Sequence, residues 1–88
     1  MKIPTIHLNG NSKESLLEEA TEALSALDAA EKALHNITIH GRNFYPQGPD
    51  AINAALAEYR DLLARFEAIK EEVLAYAVAI DNGGKQNG

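Results

Sequence analysis

The sequence predicts an all-α protein: an antiparallel hairpin of two long helices behind a short extended N-terminal arm. The hairpins are expected to associate into a four-helix-bundle dimer or a higher oligomer. Three observations carry this. Apolar residues recur at helical spacing over 16–37 and again over 52–80. A segment punctuated by glycine and proline, 41–49, separates the two runs. Each run also has a second apolar stripe beside the first, and one hairpin cannot bury both. With 88 residues the chain is one domain whose core is small for independent stability.

The arm, residues 1–11, is the first element. Pro4 disfavours helix, and Ile6 and Leu8 alternate with His7 and Asn9. An extended arm would press Ile6 and Leu8 onto the bundle and turn His7 and Asn9 outward. It would cover part of the second helix that the shorter first helix leaves bare.

Helix 1 is expected over 12–38. Asn11 or Ser12 serves as its cap, with Asn11 and Glu14 spaced as a capping box, and Glu18, Glu19 and Glu22 suit its positive end. Its seam reads Leu16, Ala20, Ala23, Leu27, Ala30, Leu34, Ile37, widened by Leu17 and Leu24. Asp28 and Lys32 are spaced for an i,i+4 ion pair. Thr38, Ile39 and Gly41 end it.

The linker, 39–48, is longer than a tight helical hairpin needs. Helix 2 follows over 49–81, with Gly48 at the cap, Pro49 in the first turn and Asp50 beside it. Its seam is Ile52, Ala55, Tyr59, Leu62, Phe66, Ile69, Val73, Tyr76, Ile80, with no polar interruption. Leu56, Leu63, Leu74 and Ala77 form the adjoining stripe. Asp61 and Arg65 are placed to pair, and Arg60 to be solvated. Asn82-Gly83-Gly84 is a stop signal, leaving 82–88 as a flexible tail.

Composition narrows the function. Charged residues make up 24% and hydrophobic residues 45%, a globular balance. A net charge of −5 argues against bulk nucleic acid or an anionic membrane as partner, while one or two placed arginines can still hold a small phosphate. Without cysteine there is no disulfide, thiolate nucleophile or zinc finger. His35 and His40 are five apart across a helix end, not at the spacing of a helical metal pair, so no metal is expected. No nucleophile–base pair or carboxylate–metal cluster appears, and Ser12 and Ser15 are explained as caps. The expectation is no enzyme and no cofactor. No apolar run reaches membrane-spanning length and the N-terminus carries no signal-peptide core, which makes the cytosol the expected compartment.

The chemistry-bearing residues that remain are Arg42, Asn43, Phe44, Tyr45 and Gln47 in the linker, with His7 and Asn9 in the arm. Within one hairpin the two groups lie at opposite ends, roughly 40 Å apart. An antiparallel dimer would set the linker of one chain beside the arm of the other and complete a composite ligand-binding site. Each residue also has a plainer role. Arg42 can satisfy carbonyls at the end of helix 1, and Phe44 and Tyr45 can plug the end of the bundle. His7 can be an ordinary surface or capping histidine, and Tyr59 and Tyr76 core residues.

The arm Ile6-His7-Leu8-Asn9-Gly10-Asn11-Ser12 and the linker Gly41-Arg42-Asn43-Phe44-Tyr45-Pro46-Gln47-Gly48-Pro49 resemble small proteins of unassigned function encoded by tailed phages and prophages. In size and helical character the chain is also similar, more loosely, to the phage anti-CBASS sponges. That likeness implies a non-enzymatic protein that sequesters a nucleotide-derived immune signal at an oligomer interface, in the host cytosol. Arg42 would take phosphate, Tyr45 or Phe44 would stack on a base, and Asn43, Gln47, Asn9 and His7 would meet polar edges. The alternative is a helical protein-interaction module, a virion-assembly accessory or a direct inhibitor of a host protein, that works through an exposed helical stripe.

Overall fold

The computed structural model describes residues 1–83 and is all-helical, with no strand among them. Two helices, α1 (Lys13–His35) and α2 (Ala51–Asp81), pack as a hairpin, joined through two short 3₁₀ turns, Gly41–Asn43 and Tyr45–Gln47. At 1.5 Å per residue the helices run about 35 and 46 Å. The molecule is long and thin, 62 × 25 × 16 Å. No described helix is long and apolar enough to cross a membrane.

The start of α1 follows from Ser12, which is extended and accepts the Ser15 N–H at 3.1 Å through its hydroxyl. This side chain satisfies one of the four donors that a helix start leaves open. The third helical residue is Ser15, so the capping box expected of Asn11 and Glu14 does not form at this start. α1 stops three residues before the expected end, at His35, with Asn36 as its cap. The run Ile37-Thr38-Ile39 gives the reason. Three consecutive β-branched side chains are stiff at χ1 and favour extended backbone over helix, and the next residue, His40, is extended at φ −120°, ψ 135°.

α2 starts two residues later than expected. Gly48 sits at φ 111°, a left-handed conformation costly for any residue with a Cβ, and closes the second 3₁₀ turn. Pro49 and Asp50 then form a turn closed by the Ala51 N–H on the Gly48 carbonyl at 3.3 Å, and Asp50 becomes the cap. At the far end Asn82 caps α2, and Gly83 at φ 83° takes the chain out of it. The expected tail lies outside the described residues from 84 onward.

The helix faces that close the hairpin differ from the expected seams by a small rotation. On α1, Leu16, Leu17, Ala20, Leu24, Leu27, Glu31 and Leu34 are buried or half-buried, while Ala23 and Ala30 are exposed, as is Ile37 beyond the helix end. On α2 every expected seam residue is covered except Ile69, which is 48% exposed. Its place is taken by Lys70, whose ammonium meets Glu31 at 2.8 Å. The seam of α2 therefore has a polar interruption.

Burial is uneven along the hairpin. The three buried apolar residues among the described ones, Ala20, Ala77 and Ile80, all lie in the half that holds the chain's N-terminal arm. There Ile3, Pro4 and Ile6 are half-buried, as expected for an arm laid on the bundle. Leu8 is fully exposed, against expectation. The alternation stops at His7 because the chain turns there. The Gly10 N–H reaches the His7 carbonyl at 3.3 Å, and the Asn9 N–H reaches His7 Nδ1 at 3.3 Å. A Cβ on Gly10 would stand only 3.0 Å from His7 Nε2, so glycine suits this turn.

Candidate functional site

The linker is a built structure. His40 Nδ1 accepts the Arg42 N–H at 3.1 Å and caps the first 3₁₀ turn. The Asn43 and Phe44 N–H groups close that turn on the His40 and Gly41 carbonyls, and Gln47 and Gly48 close the next on Phe44 and Tyr45. With the backbone satisfied locally, the side chains are free to point out. Phe44 is half-buried, and Arg42, Asn43, Tyr45 and Gln47 are exposed, Tyr45 at 76%. Of the two aromatics, only Phe44 can act as an end plug.

Arg42 does not serve the carbonyls at the end of α1. That part belongs to Tyr59, whose hydroxyl donates to the Leu34 carbonyl at 2.6 Å from across the hairpin. The Arg42 guanidinium makes no hydrogen bond or ion pair among the described residues. The structure thus brings together Arg42, Asn43, Phe44, Tyr45 and Gln47 at one end. His7 and Asn9 sit at the other, separated by the roughly 35 Å length of α1. His7 Nδ1 is occupied by the local turn, and the ring is exposed.

Two features were not expected from the sequence. The first is the polar cluster on the seam. Lys70 donates to Glu31 and stands 3.7 Å from Asp28. Its ammonium holds the Glu31 carboxyl below the usual carboxylate range, and Glu31 in turn raises the Lys70 ammonium above its ordinary value. Glu67 lies against Glu31, and that neighbour pushes its carboxyl up. Both side chains of the Glu31–Lys70 pair are only 21% exposed. The signal was present in the spacing: Glu31 is seven residues after Leu24, and Lys70 seven after Leu63, both in register with covered positions. The exposed pairs Lys32–Asp28 at 3.5 Å and Arg65–Asp61 at 2.9 Å form as the spacing predicted, and such pairs contribute little to stability.

The second feature is an open apolar groove of about 530 Å³ between the helices. Ala30, Ala33 and Leu34 line it from α1, and Leu62, Phe66 and Ile69 from α2. Its one charged lining residue is Arg65, already held by Asp61. It runs through the linker half of the hairpin, beyond the arm. Ala30 belongs to the exposed stripe of α1, and Ala23, seven residues earlier, lies on the same face of that helix.

No protein-family model, curated protein or solved structure matches the chain.

Proposed function

We propose that the protein is a non-enzymatic helical interaction module that takes another helical surface into the groove between α1 and α2. The observation that carries this reading is the groove itself: six apolar side chains line it along one side of the hairpin, Ala30, Ala33 and Ile69 exposed and Leu34, Leu62 and Phe66 half-buried. Alanines on the α1 wall let a second backbone approach closely, and Leu62, Phe66 and Ile69 supply apolar area on the other. This is the helix-in-groove mode, in which apolar anchors one turn apart carry the binding. A bis-ANS titration at about 1 µM chain tests it. The dye should bind saturably, and Ala30→Glu should abolish its binding while Leu74→Glu leaves it intact. Dye uptake indifferent to Ala30→Glu would sink the reading.

A second reading is favoured by one separate observation. Tyr45 and Arg42 are presented outward from an ordered double turn, one as a stacking face and the other as a cation with no ion pair among the described residues. This suits a nucleotide-derived ligand such as an immune signalling molecule. Calorimetry against cyclic dinucleotides, cyclic trinucleotides and cyclic ADP-ribose isomers decides it. Binding should be lost in Arg42→Ala and Tyr45→Ala, and a blank across the panel removes this reading.

A further inference from the structure

We infer that the occupant of the groove is a second copy of this chain, packed face to face along Ala30, Ala33, Leu34, Leu62, Phe66 and Ile69; this rests on the interaction-module reading above. The argument is one of area. A compact monomer of 9.5 kDa exposes about 5,000 Å² by the size scaling of folded proteins. This chain exposes 6557 Å². The excess of roughly 1,500 Å² per chain is more than the ~800 Å² per partner that a standard stable interface buries. The radius of gyration agrees: 19.0 Å, against about 12 Å for a compact domain of this length.

The position of the uncovered area points the same way. The half carrying the arm, where Ile3, Pro4 and Ile6 are half-buried, contains the three buried apolar residues found among the described residues. The linker half has only two helices, which cannot enclose side chains between them, and it is this half that holds the groove. A two-fold pairing would bring each groove against its own equivalent, the isologous arrangement in which one apolar patch serves both partners. The charge pattern permits it. The α1 wall carries no charge, Arg65 on the α2 wall is paired with Asp61, and Glu31 and Lys70 beside the groove are bonded to each other.

Sedimentation equilibrium of the full chain from about 1 to 200 µM tests this, with far-UV circular dichroism as the check on folding. The wild type should approach a mass of about 19 kDa, twice the 9.5 kDa chain. Ala30→Glu and Ile69→Glu should weaken association by roughly 100-fold or more, because each buries an unpaired carboxylate in the face. Both positions are exposed in the single chain, so helicity should be retained. Leu74→Glu, about 140° around α2 from Ile69, should leave the mass unchanged. A monomer at every concentration overturns the second copy. If the groove still binds bis-ANS in an Ala30-dependent way, the interaction-module reading survives that result; if it does not, both fail. A dimer insensitive to Ala30→Glu and Ile69→Glu, or one lost only in Leu74→Glu, overturns this face as its interface.

Discussion

Tyr59→Phe isolates one hydrogen bond that ties the two helices together at the linker end. The Tyr59 hydroxyl donates to the Leu34 carbonyl at 2.6 Å, in a partly buried position, across 25 residues of chain. Leu34 lies in the last turn of α1, where carbonyls lack helical partners. Phenylalanine keeps the ring and its packing and removes only the donor. The Leu34 carbonyl retains the Ile37 N–H at 3.2 Å, so it is not orphaned, and the cost is the net value of one neutral bond rather than a full desolvation penalty. That value is about 1 kcal/mol, and in a domain of this size it lowers Tm by roughly 4–8 °C. Circular dichroism melts at matched concentration measure it, since self-association would make Tm concentration-dependent. Tyr76→Phe is the control: Tyr76 is half-buried and its hydroxyl makes no hydrogen bond among the described residues. Amide exchange should also quicken at Ile37, whose N–H shares the Leu34 acceptor. A Tyr59→Phe melt within about 1 °C of wild type would refute the reasoning, as would an equal loss in Tyr76→Phe.

Ile80 is the only large side chain fully buried among the described residues, so Ile80→Ala should cost about 2–5 kcal/mol and Ile80→Val about 0.5–1.5. An 88-residue domain has only about 4–13 kcal/mol in total, so urea titration should show the alanine variant close to unfolded; a loss below 1 kcal/mol would mean that the arm half does not anchor the fold. Glu67 predicts a pH effect of definite sign. Glu31 raises the Glu67 carboxyl above its ordinary value, so its contribution is fully present below that ordinary value and is lost as pH rises through the raised one. Glu67→Gln removes the ionisation, and should therefore raise Tm at pH 7 relative to wild type while the difference closes below pH 4. An equal shift at both pH values would show that the Glu31 neighbour is not the cause.

Much of this architecture is readable without coordinates because its determinants are local. Ser12, the 3-4 recurrence of leucine and isoleucine, Gly48 with Pro49, and Asn82 with Gly83 each act within one turn of where they stand. The premature end of α1 is also local, carried by Ile37-Thr38-Ile39, and the turn that exposes Leu8 is built within His7–Gly10. The linker residues were identifiable as chemistry in excess of a turn's needs, and they do point outward, except for Phe44. The helix end that Arg42 was offered to cap is instead served by Tyr59 in α2, 25 residues beyond the Leu34 carbonyl it bonds, a pairing no local pattern encodes.

The sequence by itself determined that there are two helices, where they begin and end to within a few residues, and that each carries more apolar surface than a hairpin can hide. Only the tertiary structure decided which part of that surface closes the hairpin. Successive residues on a helix are about 100° apart, so two adjoining stripes are exchanged by rotating the helix through less than one residue step. Periodicity cannot resolve such a rotation; the simultaneous packing of both helices can. Here it turned Glu31 and Lys70 onto the seam as a bonded pair and left Ala30 and Ile69 beside an open groove.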